Sequence, residues 1–513
     1  MSLKVEKKWF YEDLSLWGKE LYYAGSKEII DSLIDEVCNI CSLTLTKKKR
    51  KVLKVLLLNL YFINHISSGV SGLRILLGHK NTSSQSRQYM IYSAAHSLLS
   101  KIVHALKQND LIDHKEGNVG HSTKIRLTKR GEGLLAERVN VEKIYVKQTP
   151  IFYKDTEKQL LTPPDYLYGK SKSKLVDEYN TLIVGSSVTV GEQLLYAPEK
   201  MVFRLFNDRQ CSEDGRLYGA LHQRIPKDLR RALKINGERT VEVDIVSTHP
   251  LLAYAEEGID LTHQKEIMGA VNDIYQSRIL FVQGRDERRI IKSLVVAMFN
   301  ADKKESATDR EFAVTVSKVF YKALNEDKAN SSNPLKRSGA LHTEKVLGSY
   351  QEDYIYSSSA IGMFSESGLS PDDEEYKSEY KKCVELSEGM DNSKLMIVDI
   401  VLDLLKKHEP IYEWFGSNAW KHLNFIESSI LLRVVDHFTK KSIPILTIHD
   451  SVRVAESHKE ELVLVYRTAI EKELGFNFYN KDKLLSIDGE DCCLSHQEQS
   501  LSLMMARRTD NIG

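Results

Sequence analysis

Three short segments carry side chains able to handle phosphate and a divalent metal. The first is Thr240-Val-Glu-Val-Asp-Ile-Val-Ser-Thr-His-Pro250. Val241, Val243 and Ile245 alternate with Glu242, Asp244 and Val246, the period of a half-buried strand, so Asp244 projects from the opposite face near the strand end. Leu251-Leu-Ala-Tyr254 then begins a helix. A carboxylate at a strand-to-helix transition can hold Mg²⁺ while a strand carbonyl, that of Ile245, supplies another oxygen. The second segment is Ile443-Pro-Ile-Leu-Thr-Ile-His-Asp-Ser-Val-Arg-Val-Ala455, two apolar strands around His449-Asp450-Ser451, a hairpin pattern. Turns commonly use Asp, so the functional weight comes from the adjoining His449. In the third segment Arg285, Arg288, Lys292 and Phe299 share one helical face, and Ile290, Leu294, Ala297 and Met298 mark another. A basic stripe on an otherwise buried helix is costly unless it meets an anion, and a triphosphate is a suitable one. Read alone, Arg288 and Lys292 are more often solvated surface residues.

The elements that must position these segments are legible around them. An amphipathic helix from Phe425 to Phe438 precedes the hairpin, and another from Lys459 to Leu474 follows it. Roughly Leu324 to Glu388 is rich in Ser, Asp, Glu and Tyr with little apolar periodicity, which reads as an insertion, partly disordered or a surface lobe. Residues 141–200 read as a connecting region punctuated by Pro150, Pro163 and Pro164. The tail after Cys493 reads as a frayed helix, and no internal repeat is evident.

The first third is expected to be mostly helical, with apolar residues at helical spacing from Glu28 to Leu45. Lys47-Lys-Lys-Arg-Lys51 then leads into an apolar run from Val52; that basic run is either a phosphate contact or, the plainer reading, a solvated helix face. Ser97 to Leu106 is amphipathic. Two short strands follow, Leu111–His114 and Thr123–Thr128, joined by Gly117-Asn-Val-Gly120 and leading to Lys129-Arg-Gly-Glu-Gly133. This order resembles a winged helix, in which one helix enters the major groove and the wing grips the backbone. Lys124, Arg126, Lys129 and Arg130 would be its phosphate contacts.

Bulk properties narrow the class. The net charge of +1 hides a basic residues 1–150, with 24 Lys+Arg against 14 Asp+Glu, and a remainder of −9; a basic first third is compatible with a nucleic-acid partner. Cys38-Asn-Ile-Cys41 has the CxxC form, but no second pair or nearby His completes a zinc set, and two core thiols on one amphipathic helix is the simpler reading. The N-terminus is charged from Lys4 onward and shows no signal peptide. The run from Val52 to Ile63 is broken by Lys54 and Asn59 and is too short to span a bilayer. A reducing cytoplasm is the expected compartment, with no membrane partner.

Carboxylate strand, basic helix and His-Asp hairpin, in that order, resemble motifs A, B and C of family A DNA polymerases and phage-type single-subunit RNA polymerases. Motif A looks like Asp244-Ile-Val-Ser-Thr-His-Pro-Leu-Leu-Ala253, motif B like Arg288-x3-Lys292 followed by Phe299-Asn-Ala301, and motif C like Ile448-His-Asp-Ser-Val452. Asp214-Gly-Arg-Leu-Tyr-Gly219 and Arg230 resemble the Gly-Arg element and later Arg that precede motif A. About 50 residues separate Asp244 from Lys292 and about 160 separate Lys292 from Asp450, room for compact fingers and an insertion. The chain also resembles a bacterial group with Asp-x4-His-Pro and His-Asp-Ser signatures. It departs from the families in motif B: the slot eight residues after the Lys holds Asn300, with Phe299 one earlier, and Ala301 stands where Gly is usual. The stretch before motif A is short for a full thumb.

The resemblance implies an α+β fold, a polymerase palm with an antiparallel sheet and helical fingers, preceded by a mostly helical winged-helix domain. The expected divisions are 1–140 (nucleic-acid binding), 141–200 (connector or reduced thumb), 201–323 (first palm part and fingers), 324–390 (polar insertion), 391–490 (second palm part) and 491–513 (tail). It implies a template-directed nucleotidyltransferase acting on nucleoside triphosphates over a DNA template and primer. Two Mg²⁺ ions, replaceable by Mn²⁺, would be held by Asp244, Asp450 and the Ile245 carbonyl. Arg285, Arg288 and Lys292 would hold phosphates, with Lys292 also a proton donor to the leaving group and Phe299 the stacking residue. His449 would brace the primer end, while Arg216 and Arg230 would contact substrate. His249, the fifth residue after Asp244, would sit beside the sugar, where its bulk favours deoxynucleotides and thus DNA synthesis over RNA synthesis. Two other readings stay open: a non-catalytic DNA-binding initiator or regulator, and a template-independent transferase or primase. The residues give no oligomeric state.

Overall fold

A computed structural model describes residues 21–66, 73–75, 96–115, 123–146, 150–156, 160–163, 170–225, 230–264, 274–277, 285–301, 309–330, 340–341, 343–347 and 392–488. The protein mixes helices and largely antiparallel sheets and divides into two compact units, residues 1–243 with 428–469 and residues 244–427 with 470–513. The division falls within the strand Glu238–Ile245, so Asp244 is the first residue of the second unit.

The described part of the first unit opens with the strand Leu21–Tyr23, which pairs antiparallel with Ile144–Val146 in a two-stranded sheet, and the helix Lys27–Ile40 follows. Ser26 caps it by accepting from the Ile29 amide, and Ile30, Leu33, Ile34, Val37 and Cys38 form its buried stripe. The helix stops at Ile40 rather than running to Leu45, because the chain turns at Ser42 with φ +50°. Cys38 and the capping Cys41 are both buried free thiols, and burial pushes both thiols up. The apolar run from Val52 lies inside the helix Lys47–Ile66. Beyond it, the strands Leu73–Ile75, Thr123–Leu127 and Ile112–Lys115 form a three-stranded sheet with Thr123–Leu127 in the middle. The helix His96–Gln108 leads into this hairpin and the helix Lys129–Ala136 leaves it. Thr128 caps the second of these, and Gly131 is required there, since a Cβ would lie 2.1 Å from the Leu111 carbonyl oxygen.

Two further sheets complete the unit. One has the order Asp214–Tyr218, Phe203–Phe206, Ile151–Lys154, Leu160–Leu161. The other runs Ile445–Ile448, Ser451–Ala455, Glu238–Ile245, Leu233–Ile235, Val188–Val190, Gln193–Leu194. Residues 141–200 thus supply strands to both sheets, and their helix Lys170–Gly185 buries Val176, Tyr179 and Ile183.

The second unit is mainly helical. Arg285–Asn300, Asp309–Asn330 and Asn392–Lys407 pack on one another through Leu294, Met298, Phe312, Val316, Ile397 and Val401, all buried. The expected boundary at residue 324 falls inside the helix Asp309–Asn330, where Leu324 is buried; an apolar face continues past the point where composition turns polar. Most of the polar stretch to 390, and the tail after Cys493, lie outside the described residues. No helix among the described residues is long and apolar enough to cross a membrane.

Candidate functional site

In the first unit the hairpin is built as its sequence suggests. Ile445–Ile448 and Ser451–Ala455 are wholly buried, and pairing of Ile448 with Ser451 leaves His449-Asp450 as a two-residue turn. Such turns need a left-handed residue, and His449 takes that place at φ +54°. The conformation costs a non-glycine residue about 1–2 kcal/mol, and residues so held cluster at functional sites. Asp214, at φ +69° in the Gly-Arg element, and Ser247, at φ +50° in the segment after Asp244, take the same left-handed conformation.

The outer strand of the hairpin lies at the edge of its sheet, so alternate carbonyls need other donors. Tyr179 donates its hydroxyl to the Ile445 carbonyl at 2.9 Å, and His222 donates Nε2–H to that of Thr447 at 3.1 Å. Tyr466 donates to the carbonyl of Asp450 itself at 2.5 Å. Burial holds the His222 imidazole neutral, its pKa down at about 3. His449 lies 6.0 Å from Tyr218, ring to ring. Burial, with the nearby charges of Arg216 and Arg230, keeps His449 below the usual histidine value against the opposing pull of Asp450. Arg216, Arg230 and the adjoining His449 and Asp450, named from three separate stretches of sequence, therefore share one neighbourhood.

Buried side chains that sequence reasoning missed hold this neighbourhood. Arg204 donates Nε–H to the Gly215 carbonyl at 2.6 Å and Nη2 to Ser428 Oγ at 3.1 Å, clamping the Asp214-Gly-Arg216 segment. Gly215 sits at φ +83°, where a Cβ would meet the Phe206 ring at 2.6 Å. On the hairpin, Arg453 donates to Glu242 at 2.7 Å and to the Thr240 hydroxyl and carbonyl at 2.9 and 2.8 Å. Ser451 also donates to Glu242, at 2.9 Å, and Arg230 lies 3.4 Å from it. A signal was available: an arginine between Val452 and Val454 on an apolar strand demands a buried anion.

In the second unit, the helix after Asp244 starts at Thr248, three residues earlier than its apolar run suggests, because Ser247 adopts the left-handed turn that starts it. Thr248 donates to the Ile245 carbonyl at 3.2 Å, leaving that oxygen a second lone pair. His249 is consequently in the first helical turn, with Nε2 2.9 Å from Asn424 Oδ1 and 3.9 Å from the buried Glu427. Asn424 and Glu427 are further residues the sequence did not single out.

The basic helix is less exposed along its length than its face suggests. Arg285 belongs to Arg285–Asn300, Arg288 is half-buried and Lys292 exposed. The Arg288 guanidinium lies 5.0 Å from the Tyr275 ring centroid and the Lys292 ammonium 5.8 Å. An aromatic face receives both members of the basic pair. Lys407 donates to the carbonyls of Ile274 and Gln276, and Ser277 donates to Asp403, so the segment bearing Tyr275 is held on both sides. Phe299 differs from the sequence expectation. Its ring is fully buried, 4.9 Å from Phe415 and 6.0 Å from His249, because the stripe that begins at Arg285 turns into the packed core by its last turn; as it stands, this ring supports the helix and offers no open stacking face.

Of the basic residues in the first third, Arg126 is exposed but paired with Asp113 at 2.9 Å. Arg130 donates to the Asn109 carbonyl at 3.0 Å, and Lys129 is exposed. Lys124 lies in the strand Thr123–Leu127.

Among the described residues no group of three or more His, Cys, Asp or Glu could hold a metal ion. Asp450 in the first unit, and Asp244 with the Ile245 carbonyl in the second, are each hard oxygen donors of the kind that Mg²⁺ takes together with water and substrate phosphate. No protein-family model matches the chain, and no curated protein matches it. Among solved structures, it is similar to the POL domain of Pol1 from M. smegmatis in complex with DNA primer-template and dNTP. That chain is 12% identical over 91% of this one, which spans 66% of its length, with a TM-score of 0.24. A likeness that slight carries no argument about fold or activity.

Proposed function

We propose that this protein is a template-directed nucleotidyltransferase with a polymerase-like palm, extending a primer with deoxynucleoside triphosphates. The observation that supports the reading is the neighbourhood of the His449-Asp450 turn: a carboxylate and an imidazole on one hairpin tip, with the charges of Arg216 and Arg230 from two other segments acting on it. Asp244 and Asp450 are assigned to a pair of Mg²⁺ ions, with the Ile245 carbonyl as an added ligand. Bound metal would supply Lewis acidity, lowering the pKa of an attacking hydroxyl and neutralising a leaving pyrophosphate.

The chain's own residues do the rest. His449, kept uncharged, offers a hydrogen bond to a primer terminus without competing for a cation. Arg216 and Arg230 bind backbone phosphate. Arg285, Arg288 and Lys292 bind the triphosphate, which must draw Arg288 and Lys292 from the Tyr275 ring; Lys292 then gives a proton to the departing phosphate oxygen. His249, oriented by Asn424, stands beside the sugar and favours the 2′-deoxy form by bulk. Phe299 is a supporting residue here unless nucleotide binding shifts the helix. The Lys124, Arg126, Lys129 and Arg130 segment is proposed as a winged-helix contact to the duplex backbone.

Primer extension on a defined DNA template with Mg²⁺, offering dNTPs and rNTPs separately beside the Asp244→Ala protein, tests this. Template-following extension by the wild type alone, preferring dNTPs, is expected. Untemplated addition would point to a terminal transferase, and no incorporation with Mg²⁺ or Mn²⁺ would leave a DNA-binding protein.

A further inference from the structure

The exposed face of the helix His96–Gln108 carries no acid. Leu99, Ile102, Val103 and Leu106 form its buried stripe, whereas Lys101, His104, Lys107 and Gln108 are exposed. These four fall at i, i+3, i+6 and i+7, one side of the helix, and no Asp or Glu occurs between His96 and Asn109. Elsewhere in the same unit Arg50 pairs with Asp35, Arg126 with Asp113 and Arg138 with Glu36, so those charges are balanced within the fold. The side chains of Lys101, His104 and Gln108 make no hydrogen bond or ion pair among the described residues. Lys107 donates to Nδ1 of His114 at 3.1 Å, on the adjoining strand Ile112–Lys115, and an imidazole does not cancel its charge.

We propose that this face, more than the hairpin beside it, is the first unit's contact with double-stranded DNA, and that it reads sequence: His104 and Gln108 meet base edges while Lys101 and Lys107 hold flanking phosphates. The inference rests on the duplex-contact reading of this segment and deepens it. The major groove of B-form DNA admits an α-helix and presents base-edge donors and acceptors to it, whereas the deep, narrow major groove of an RNA duplex does not. Glutamine meets adenine through two hydrogen bonds, and imidazole both donates and accepts. Phosphate contacts position a protein and base contacts specify its site; this face has groups for both. The hairpin offers less. Arg126 gives Nε and Nη2 to Asp113, both at 2.9 Å, and takes a phosphate only by leaving that carboxylate beside it. Arg130 donates to the Asn109 carbonyl at 3.0 Å, just past the end of the same helix.

The test is fluorescence anisotropy of the full chain on a blunt random-sequence DNA duplex at several salt concentrations, with selection of a preferred sequence from a random duplex pool. Lys101→Ala with Lys107→Ala should weaken duplex binding about tenfold and lower the salt slope by about 2, with the melting temperature unmoved. Asp113→Asn with Arg126→Gln, which removes the hairpin pair without changing net charge, should stay within about twofold of wild type. His104→Ala with Gln108→Ala should keep affinity for random duplex within about threefold and lose about tenfold of the preference for the selected sequence. A lysine variant that binds like wild type overturns the proposal, as does a hairpin variant that costs as much, a pool that yields no preferred sequence, or tighter binding to an RNA duplex. Where the double lysine variant does not fold, Lys101→Gln decides: about threefold weaker binding is expected, and unchanged binding overturns the proposal. A wild type that binds no duplex overturns the duplex-contact reading and this proposal together, whereas wild-type binding kept in the lysine variant overturns this proposal alone.

Discussion

The hairpin of the first unit and the basic helix of the second treat charge in opposite ways. In the hairpin, Arg453 and Glu242 are buried and locked by hydrogen bonds in the 2.7–2.9 Å range, and the turn between the strands is gripped through its backbone by Tyr466. On the helix, Arg288 and Lys292 rest 5.0 and 5.8 Å from the centre of an aromatic ring, an attraction of about 0.5–2 kcal/mol that a stronger anion can replace. On the proposed nucleotidyltransferase reading, the first kind of group is in place before a ligand arrives and the second moves onto the ligand.

The sharpest way to break the comparison is Asp450→Ala. Nucleotide addition should fall by more than about a hundredfold, beyond the 10–100-fold typical of changes in residues that only support a metal site, while duplex binding by residues 1–150 is unchanged in gel-shift titration. Equal loss of both would mean the fixed carboxylate has no separate role. Next in size is Glu242→Ala, which takes from buried Arg453 the carboxylate it donates to. Urea denaturation should show about 3–5 kcal/mol of lost stability, and a loss under about 1 kcal/mol would show that the hairpin is not locked by this pair.

Protonation sharpens the same contrast between locked and open groups. Burial holds His222 and His408 down at about 3, whereas an unfolded histidine titrates near 6.5. Between those values the unfolded chain binds protons that the folded chain does not, so stability is full above about pH 6.5 and falls as pH drops. At pH 5 each histidine should cost about 2 kcal/mol; His222→Gln and His408→Gln should each flatten the curve, and an unaltered slope would count against the buried neutral form. The smallest effect is expected on the open side. Lys292→Ala should raise the dNTP KM about tenfold, or about 1.4 kcal/mol, with the melting temperature unmoved. A drop in melting temperature would make this lysine part of the fold instead.

Elements with strong periodicity were readable before any coordinates. The helix Lys459–Leu474 and the hairpin around His449-Asp450 lie where their apolar spacing puts them, and the strand and hairpin after Ser97–Leu106 follow their turn residues. Boundaries were legible only where the stop signal was local. The first helix ends at Ile40 and the helix after Asp244 begins at Thr248 because Ser42 and Ser247 take left-handed conformations, and serine gives no warning of that as glycine would. Phe299 was misplaced for another reason: helical spacing gives the direction of a side chain but not where along the helix its neighbours close over it.

By itself the sequence determined which acids and bases stand at strand ends, turns and helix faces, because those assignments depend on period and chemistry over fewer than about ten residues. It also determined the order of the motif segments. Only the tertiary structure decided what those groups face. Arg453 meets Glu242 across 211 positions of chain and His222 meets Thr447 across 225, and such pairings follow from sheet order, which no local pattern encodes. The buried positions of Arg204, Glu242 and Arg453 were decided in the same way: a charge can be buried only where distant segments bring it a partner.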